Sequence, residues 1–288
     1  MATLAEVLVQ DSQKLRQALG LDLREARLEI QILLSHALGV ARSWLIGHDR
    51  DALAESAAQS YTDLLTRRLA GEPIAYIVGN REFFGLEFKT TPVVLIPRPE
   101  TELLVELALQ KIPENLPCSV LDLGTGSGAI AISIARNRPQ AAVTAVDQSP
   151  EALAVARENA ARLGVPNLRL LHSNWFGVLE GETFDLIVSN PPYVEAADPH
   201  LQRGDVRFEP ISALASGADG LDDIRRITAV APQHLNPGGW LLFEHGYNQG
   251  EGCREILRQH GYAAVETIRD LAGLERVSLG SIAKKSCN

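Results

Sequence analysis

Val120-Leu121-Asp122-Leu123-Gly124-Thr125-Gly126-Ser127-Gly128 decides how the rest of the chain is read. Val120 to Leu123 is a short apolar run that predicts a buried strand. Three glycines in the next five residues predict a tight turn whose backbone can approach a ligand closely. A helix over residues 127–136 follows. Working outward, strands are predicted at 142–146, 168–171, 184–188 and 240–243, and helices at 150–163, 224–235 and 250–260. Strands alternating with helices mean an α/β fold built on a parallel sheet. Residues 262–268 and 274–279 break the alternation, being two strand-like runs with only a short link. A parallel crossover needs roughly a dozen residues or more, so this last pair is predicted antiparallel.

The chain before this domain has another character. All 15 prolines lie from Pro73 onward, and the first block is rich in Leu and Ala. Leu23, Ala26, Ile30, Leu33, Leu34 and Ala37 recur at helical spacing. Asp22 is placed to cap that helix with Glu25 three residues on, and Gly20, Gly39 and Gly47 sit where helices would end. Residues 1–72 are therefore read as a bundle of four or five short helices, and 73–97 as a β-hairpin linker. Residues 98–288 form the α/β domain. Pro99 suits the first position of the helix that opens it, with Glu100 and Glu102 at its positive end.

Asp147 ends the second strand, 19 residues after Gly128. A carboxylate there can accept both hydroxyls of a ribose. The loop is not a dinucleotide fingerprint, because position 129 is Ala where that pattern needs its third glycine. Asp122 before the loop suits a cationic ligand better than a pyrophosphate. S-adenosyl-L-methionine, with its ammonium and sulfonium, matches.

Asn190-Pro191-Pro192-Tyr193 follows the strand at 184–188. Two consecutive prolines fix two φ angles and remove two N–H donors. The carbonyls of Asn190 and Pro191 are left as rigid acceptors, and the Asn190 side chain adds another. A planar amino group can donate one hydrogen to each of two such acceptors, which aims its nitrogen at an electrophile. Tyr193 is available to stack on its flat face. An amide or aryl amine is a poor nucleophile because its lone pair is delocalised. Acceptors that tighten as charge develops on nitrogen stabilise the transition state. The tetrapeptide thus predicts methyl transfer to a flat, uncharged amino group, with Asn190 and Pro191 as the catalytic residues. No strong base is required, so His245, at a strand end, is read as structural.

Composition narrows the partners. The net charge is −9, and residues 1–72 hold eight Lys/Arg against ten Asp/Glu. An adenine-amino DNA or RNA methyltransferase would pose the same geometry but needs a basic groove, so a protein substrate is favoured and no direct nucleic-acid partner is expected. The other alternative is a non-catalytic cofactor-binding module, against which the intact tetrapeptide speaks. Cys118, Cys253 and Cys287 are sparse and unpaired in spacing, which predicts reduced thiols and no metal site. No apolar run reaches membrane-spanning length and no signal peptide is recognised, so a cytoplasmic protein, a monomer, is expected.

Further stretches carry a resemblance. They are Phe83-Phe84-Gly85, Leu95-Ile96-Pro97-Arg98-Pro99-Glu100-Thr101, the loop from Asp122 to Gly128 and the tetrapeptide. Asp205-Val206-Arg207-Phe208-Glu209-Pro210 and Glu244-His245-Gly246 complete the set. With these, nearly the whole chain resembles the release-factor glutamine methyltransferases, the HemK/PrmC family. The resemblance implies a seven-stranded, Rossmann-like class I methyltransferase sheet with a small N-terminal helical domain that recognises the substrate. It implies methylation of the glutamine amide in the Gly-Gly-Gln segment of peptide chain release factors. By position, Gly124, Thr125, Gly126, Ser127, Gly128, Asp147, Trp175 and Asn190 would contact S-adenosyl-L-methionine. Asn190, Pro191, Pro192 and Tyr193 would hold the glutamine. Asn174 departs from the family, which more often has Asp there. The long loop over 195–220 is read as a lid or binding loop, and Arg98 as a contact to substrate or cofactor or else an exposed helix-start residue.

Overall fold

The structure is a computed structural model and describes residues 2–284. Cys287 lies outside the described residues. The chain divides into two compact units. One combines the residues up to Asn80 with Gln202–Phe208; the other holds Arg81–Leu201 and the chain from Glu209 onward.

The first unit contains helices α1 (Leu4–Leu19), α2 (Leu23–Leu38), α3 (Trp44–Gly47), α4 (Glu55–Leu69) and α5 (Ile74–Val78). Thr3 and Asp22 each close a capping box, with Glu6 and Glu25 reaching back. Such a cap contributes about 1 kcal/mol. Gly20 and Gly39 end α1 and α2 in the left-handed region, whereas Gly47 is the last residue of α3 and His48 caps it. Leu15, Ile30, Leu33 and Leu34 form the centre of this unit's core. Helix α5 lies beyond residue 72, in the span read as linker, because Pro73 begins one more helical turn instead of an extended strand.

Arg68 is buried at the end of α4. Its guanidinium takes both oxygens of Glu29 (2.7 and 3.1 Å), the Asp205 carboxylate (2.9 Å) and the Glu72 carbonyl (2.9 Å). Only a five-donor fork satisfies so many acceptors at once. This ion network is why Gln202–Phe208 counts with the helical unit.

The second unit opens with a hairpin of β1 (Asn80–Phe83) and β2 (Leu86–Lys89). A single 3₁₀ turn at Pro99–Thr101 leads into α6 (Glu102–Lys111). Then come β3 (Cys118–Leu123), α7 (Ala129–Asn137), β4 (Ala141–Asp147), α8 (Pro150–Leu163), β5 (Leu168–His172) and β6 (Phe184–Ser189). The rest is α9 (Asp222–Val230), β7 (Leu235–Glu244), α10 (Gly250–Gln259), β8 (Ala263–Arg269) and β9 (Glu275–Ser281).

The seven-stranded sheet has the order β5-β4-β3-β6-β7-β9-β8. All neighbours are parallel except that β9 pairs antiparallel with both β7 and β8. Both faces are covered, so the strands read as continuous apolar runs. Val120 packs toward the cluster that includes α6 and α7; Leu121 and Leu123 pack toward that of α9 and α10. From β3 the chain steps one way to β4 and β5, then crosses back to β6. That reversal leaves a crevice at the carboxyl ends of β3, β4 and β6, where the motifs lie.

The predicted helix over 224–235 is shorter than expected. Helix α9 stops at Val230 and a 3₁₀ turn carries Ala231–His234. Pro232 has no N–H to continue the helix, although Ala231 before it keeps helical backbone angles. Strand β7 then starts at Leu235, five residues before the predicted position.

Candidate active site

Gly124, Gly126, Asp147, Trp175, Asn190 and Pro192 line a single cavity. The glycine loop is hooked onto β4: the Gly124 and Thr125 N–H groups both donate to the Val146 carbonyl at 2.9 Å. Gly124 has φ +73, and a Cβ there would press on the Trp175 ring at 3.3 Å. Gly128 has φ +84, and a Cβ would collide with Ile132 at 2.7 Å. One glycine therefore admits an aromatic wall and the other seats α7 against the sheet.

Asp147 is already engaged. Its Oδ2 accepts from Gly126 N–H at 2.8 Å and its Oδ1 from Ser149 N–H at 2.9 Å. Each oxygen keeps a second lone pair for a ligand hydroxyl. Burial raises the Asp147 carboxyl above the usual range, and the N–H groups of Ser149, Gly126 and Gln148 oppose it. Asp122 lies under the loop, fully buried, its Oδ2 accepting from Thr125 Oγ1 at 2.6 Å. Its Oδ1 has no hydrogen-bond partner among the described residues. Burial first, then the charge of Asp147, pushes its carboxyl up to about 7, while the Thr125 hydroxyl opposes. A buried carboxyl beside a second one favours a cationic ligand. The residues present fit S-adenosyl-L-methionine.

Trp175 has φ +51, the left-handed region, which is strained for a side chain of that size. Its carbonyl is held by Ser173 Oγ at 2.9 Å. Asn174 is exposed and lines the same cavity. Asn190 follows β6, whose last residue Ser189 donates Oγ–H to the Leu123 carbonyl at 2.8 Å. The Asn190 Nδ2 donates to Thr101 Oγ1 at 3.1 Å, so its Oδ1 is the end left for a ligand.

Not every predicted residue reaches the wall. Thr125, Ser127, Gly128 and Pro191 do not line the cavity. Thr125 and Ser127 are buried beneath the loop. Tyr193 is also off the wall: its hydroxyl donates to Glu244 Oε1 at 3.0 Å and its ring packs on the core under α9 and α10. Gln249 Nε2 donates to its carbonyl at 2.9 Å. Burial raises the Tyr193 hydroxyl, and Glu244 adds to this. Glu244 is itself buried and raised by burial, with the Thr101 and Tyr193 hydroxyls and Arg276 opposing.

Arg98 is paired with the buried Glu209, which also accepts from Ile96 N–H at 3.2 Å. His245 is buried and neutral in its contacts: Nδ1–H donates to the Gly246 carbonyl and Nε2 accepts from Ser278. Burial lowers its pKa. The 195–220 loop is ordered into short 3₁₀ turns.

Walls that the sequence did not reveal come from Val93 to Leu95, Ser212, Ala213 and Arg226. Ser149, also on the wall, had a legible signal: it caps α8 ahead of Pro150 by accepting from Ala152 N–H at 3.0 Å. Cys118 and Cys253 are buried and unpaired, their thiols pushed by burial up to about 11 and about 12. Among the described residues no metal-ligand cluster occurs and no helix is long and apolar enough to cross a membrane.

Comparison with known proteins completes the assignment. The profile of the methyltransferase small domain matches residues 100–205, and that of the PrmC N-terminal domain matches residues 6–79. A methyltransferase from Pyrococcus furiosus shares the fold at TM-score 0.53 and 22% identity, over 77% of this chain and 99% of that one. Fold and site together define an S-adenosyl-L-methionine-dependent methyltransferase of class I. The release factor glutamine methyltransferase of Salmonella typhimurium is 50% identical over 88% of this chain and 91% of its own length. The Pseudomonas aeruginosa protein of the same name is 50% identical over 90% and 94%. This chain belongs to the release factor glutamine methyltransferase family.

Proposed function

We propose that this chain methylates the side-chain amide nitrogen of the glutamine in the Gly-Gly-Gln segment of peptide chain release factors, using S-adenosyl-L-methionine. The observation that carries the reading is the orientation of Asn190, whose Nδ2 is committed to Thr101 and whose Oδ1 is therefore an acceptor at the cavity. Family membership supplies the substrate.

The bound cofactor supplies a methyl group activated by a sulfonium. Asp147 would hold the ribose hydroxyls, and Gly124, Gly126 and Trp175 would shape the bed of the cofactor. Asn190 Oδ1, at the cavity, would accept one amide hydrogen and hold the nitrogen in place; the Pro191 carbonyl, which lies off the cavity wall, would have to be reached by the substrate to take the other. The sulfonium methyl would be the electrophile, the new nitrogen–carbon bond replacing the carbon–sulfur bond, whose electron pair would stay with sulfur. The same acceptors stabilise the charge that develops on nitrogen. The methylated nitrogen then releases one proton to water, since a protonated amide is a strong acid.

The helical unit serves as the substrate-recognition domain. The enzyme works as a cytoplasmic monomer on a protein substrate, and a net charge of −9 supports a partner other than nucleic acid. Peptide mass mapping of a release factor incubated with enzyme and cofactor tests the reading. The Gly-Gly-Gln peptide gains one methyl group if it holds. An unmodified release factor beside methylated plasmid DNA overturns it.

Asp122 gives a pH prediction. A ligand bearing a sulfonium and an ammonium lowers a nearby carboxyl's pKa, so binding expels the proton that Asp122 holds in the free protein. Affinity then rises with pH toward about 7 and levels off above it. Calorimetric titration across that range should show the rise, and Asp122→Asn should flatten it. Equal slopes in both proteins would assign the proton to another group.

A further inference from the structure

Thr101 and Glu244 lie in two stretches that mark the family, and of the two only Thr101, through its bond to Asn190, has entered the reaction so far. We propose that they form a positioning relay that decides which end of the Asn190 side-chain amide faces the substrate. The inference rests on the function proposed above and adds two residues to it.

The backbone brings them together. Strand β6 pairs in parallel with β7, with Ser189 opposite Phe243, so the next residues, Asn190 and Glu244, stand side by side. Thr101 ends the 3₁₀ turn before α6 and is buried, 4% exposed. Glu244 is 1% exposed.

An asparagine amide is nearly symmetric in shape, and rotation by half a turn exchanges its oxygen and its NH₂. Methyl transfer needs the oxygen toward the substrate, because an NH₂ there would face the N–H donors of the glutamine. Thr101 selects the productive state by accepting from Asn190 Nδ2 at 3.1 Å. A hydroxyl can also donate, and a donating Thr101 would hold the other state. What commits its proton elsewhere is Glu244. A carboxylate only accepts. Its Oε1 takes the Tyr193 hydroxyl at 3.0 Å, and its Oε2 has no hydrogen-bond partner among the described residues. The relay assigns the Thr101 hydroxyl proton to Oε2, in keeping with the downward pull of that hydroxyl on the buried carboxyl. One uncommitted donor and one uncommitted acceptor thus complete the order Asn190 to Thr101 to Glu244. Tyr193 closes the other end, which ties the first and last residues of the tetrapeptide to one buried group.

Steady-state methylation of a release factor by the full chain tests the relay with Thr101→Val, Thr101→Ser and Glu244→Gln. Thr101→Val keeps the shape and removes the hydroxyl. It should lower kcat about thirtyfold, with KM for the release factor and the cofactor Kd within about twofold. Thr101→Ser should recover most of the rate. Glu244→Gln keeps one acceptor oxygen and puts an NH₂ where the other hydroxyl would donate, and should be as slow as Thr101→Val. The double variant should be no slower than either, since both break one relay. Full turnover in Thr101→Val, or a serine variant as slow as the valine one, overturns the proposal. If Thr101→Val fails to fold, unimpaired turnover in Glu244→Gln overturns it instead. Absence of methylation by the unaltered chain would strike the proposed function, not the relay.

Discussion

Asn190→Ala is expected to lower kcat by about a thousandfold and to leave the cofactor Kd within about threefold. The asymmetry follows from where the side chain works. A glutamine amide nitrogen shares its lone pair with the carbonyl, and that sharing must be broken as the methyl arrives. Positive charge grows on nitrogen, its hydrogens become stronger donors, and an acceptor fixed against them gains most at the transition state. Asn190 is fixed: Pro191 follows it, β6 anchors it, and Thr101 holds its Nδ2 at 3.1 Å. Losing one preorganised partner of this kind costs about 3–4 kcal/mol, which is the predicted factor. Single-turnover rates on a release factor, with calorimetry for cofactor, separate the two quantities. Normal turnover in the variant would remove Asn190 from the mechanism.

The second large effect is on binding. Asp147→Ala should raise the cofactor Kd by about a hundredfold. Two hydroxyls donating to one carboxylate are charge-assisted bonds, together contributing about 3 kcal/mol, or two powers of ten in affinity. The structure adds a second route to the same loss. Asp147 also takes the N–H groups of Gly126 and Ser149, so its removal loosens the glycine loop and the start of α8. Asp147→Asn keeps one acceptor oxygen and should fall between. An unchanged Kd in the alanine variant would show that the ribose lies elsewhere.

The places of Asp147 and Asn190 on the cavity were legible in the sequence, and so was the class of reaction. Asp147 follows a strand, Asn190 precedes two prolines, and the glycines sit within five positions. Each signal is a short-range constraint on backbone or capping, which propensity and spacing report directly. The capping box at Asp22 is the same kind of signal, and it is formed as expected. Local reading failed where it overlooked a local breaker, as at Pro232, where α9 ends early.

Direction and partnership were not legible. Tyr193 was expected at the substrate's face, but its hydroxyl turns to Glu244, which lies 51 residues away. Arg98 was weighed as a ligand contact or an exposed side chain, and it pairs with Glu209, 111 residues on. Arg68 drew no notice in the sequence and is the hub of the helical unit. A buried charge is stable only beside a partner, and nothing local names that partner.

The parallel strands, the antiparallel end of the sheet and the glycine loop with the acid after it could be read from the chain, because each depends on residues adjacent along it. Which end of Asn190 meets the cavity, which side chains of 93–95, 212–213 and α9 close it, and where the buried charges find their partners emerge with the packing of distant elements. Those depend on strand order and helix packing, which bring side chains about a hundred positions apart within hydrogen-bond reach.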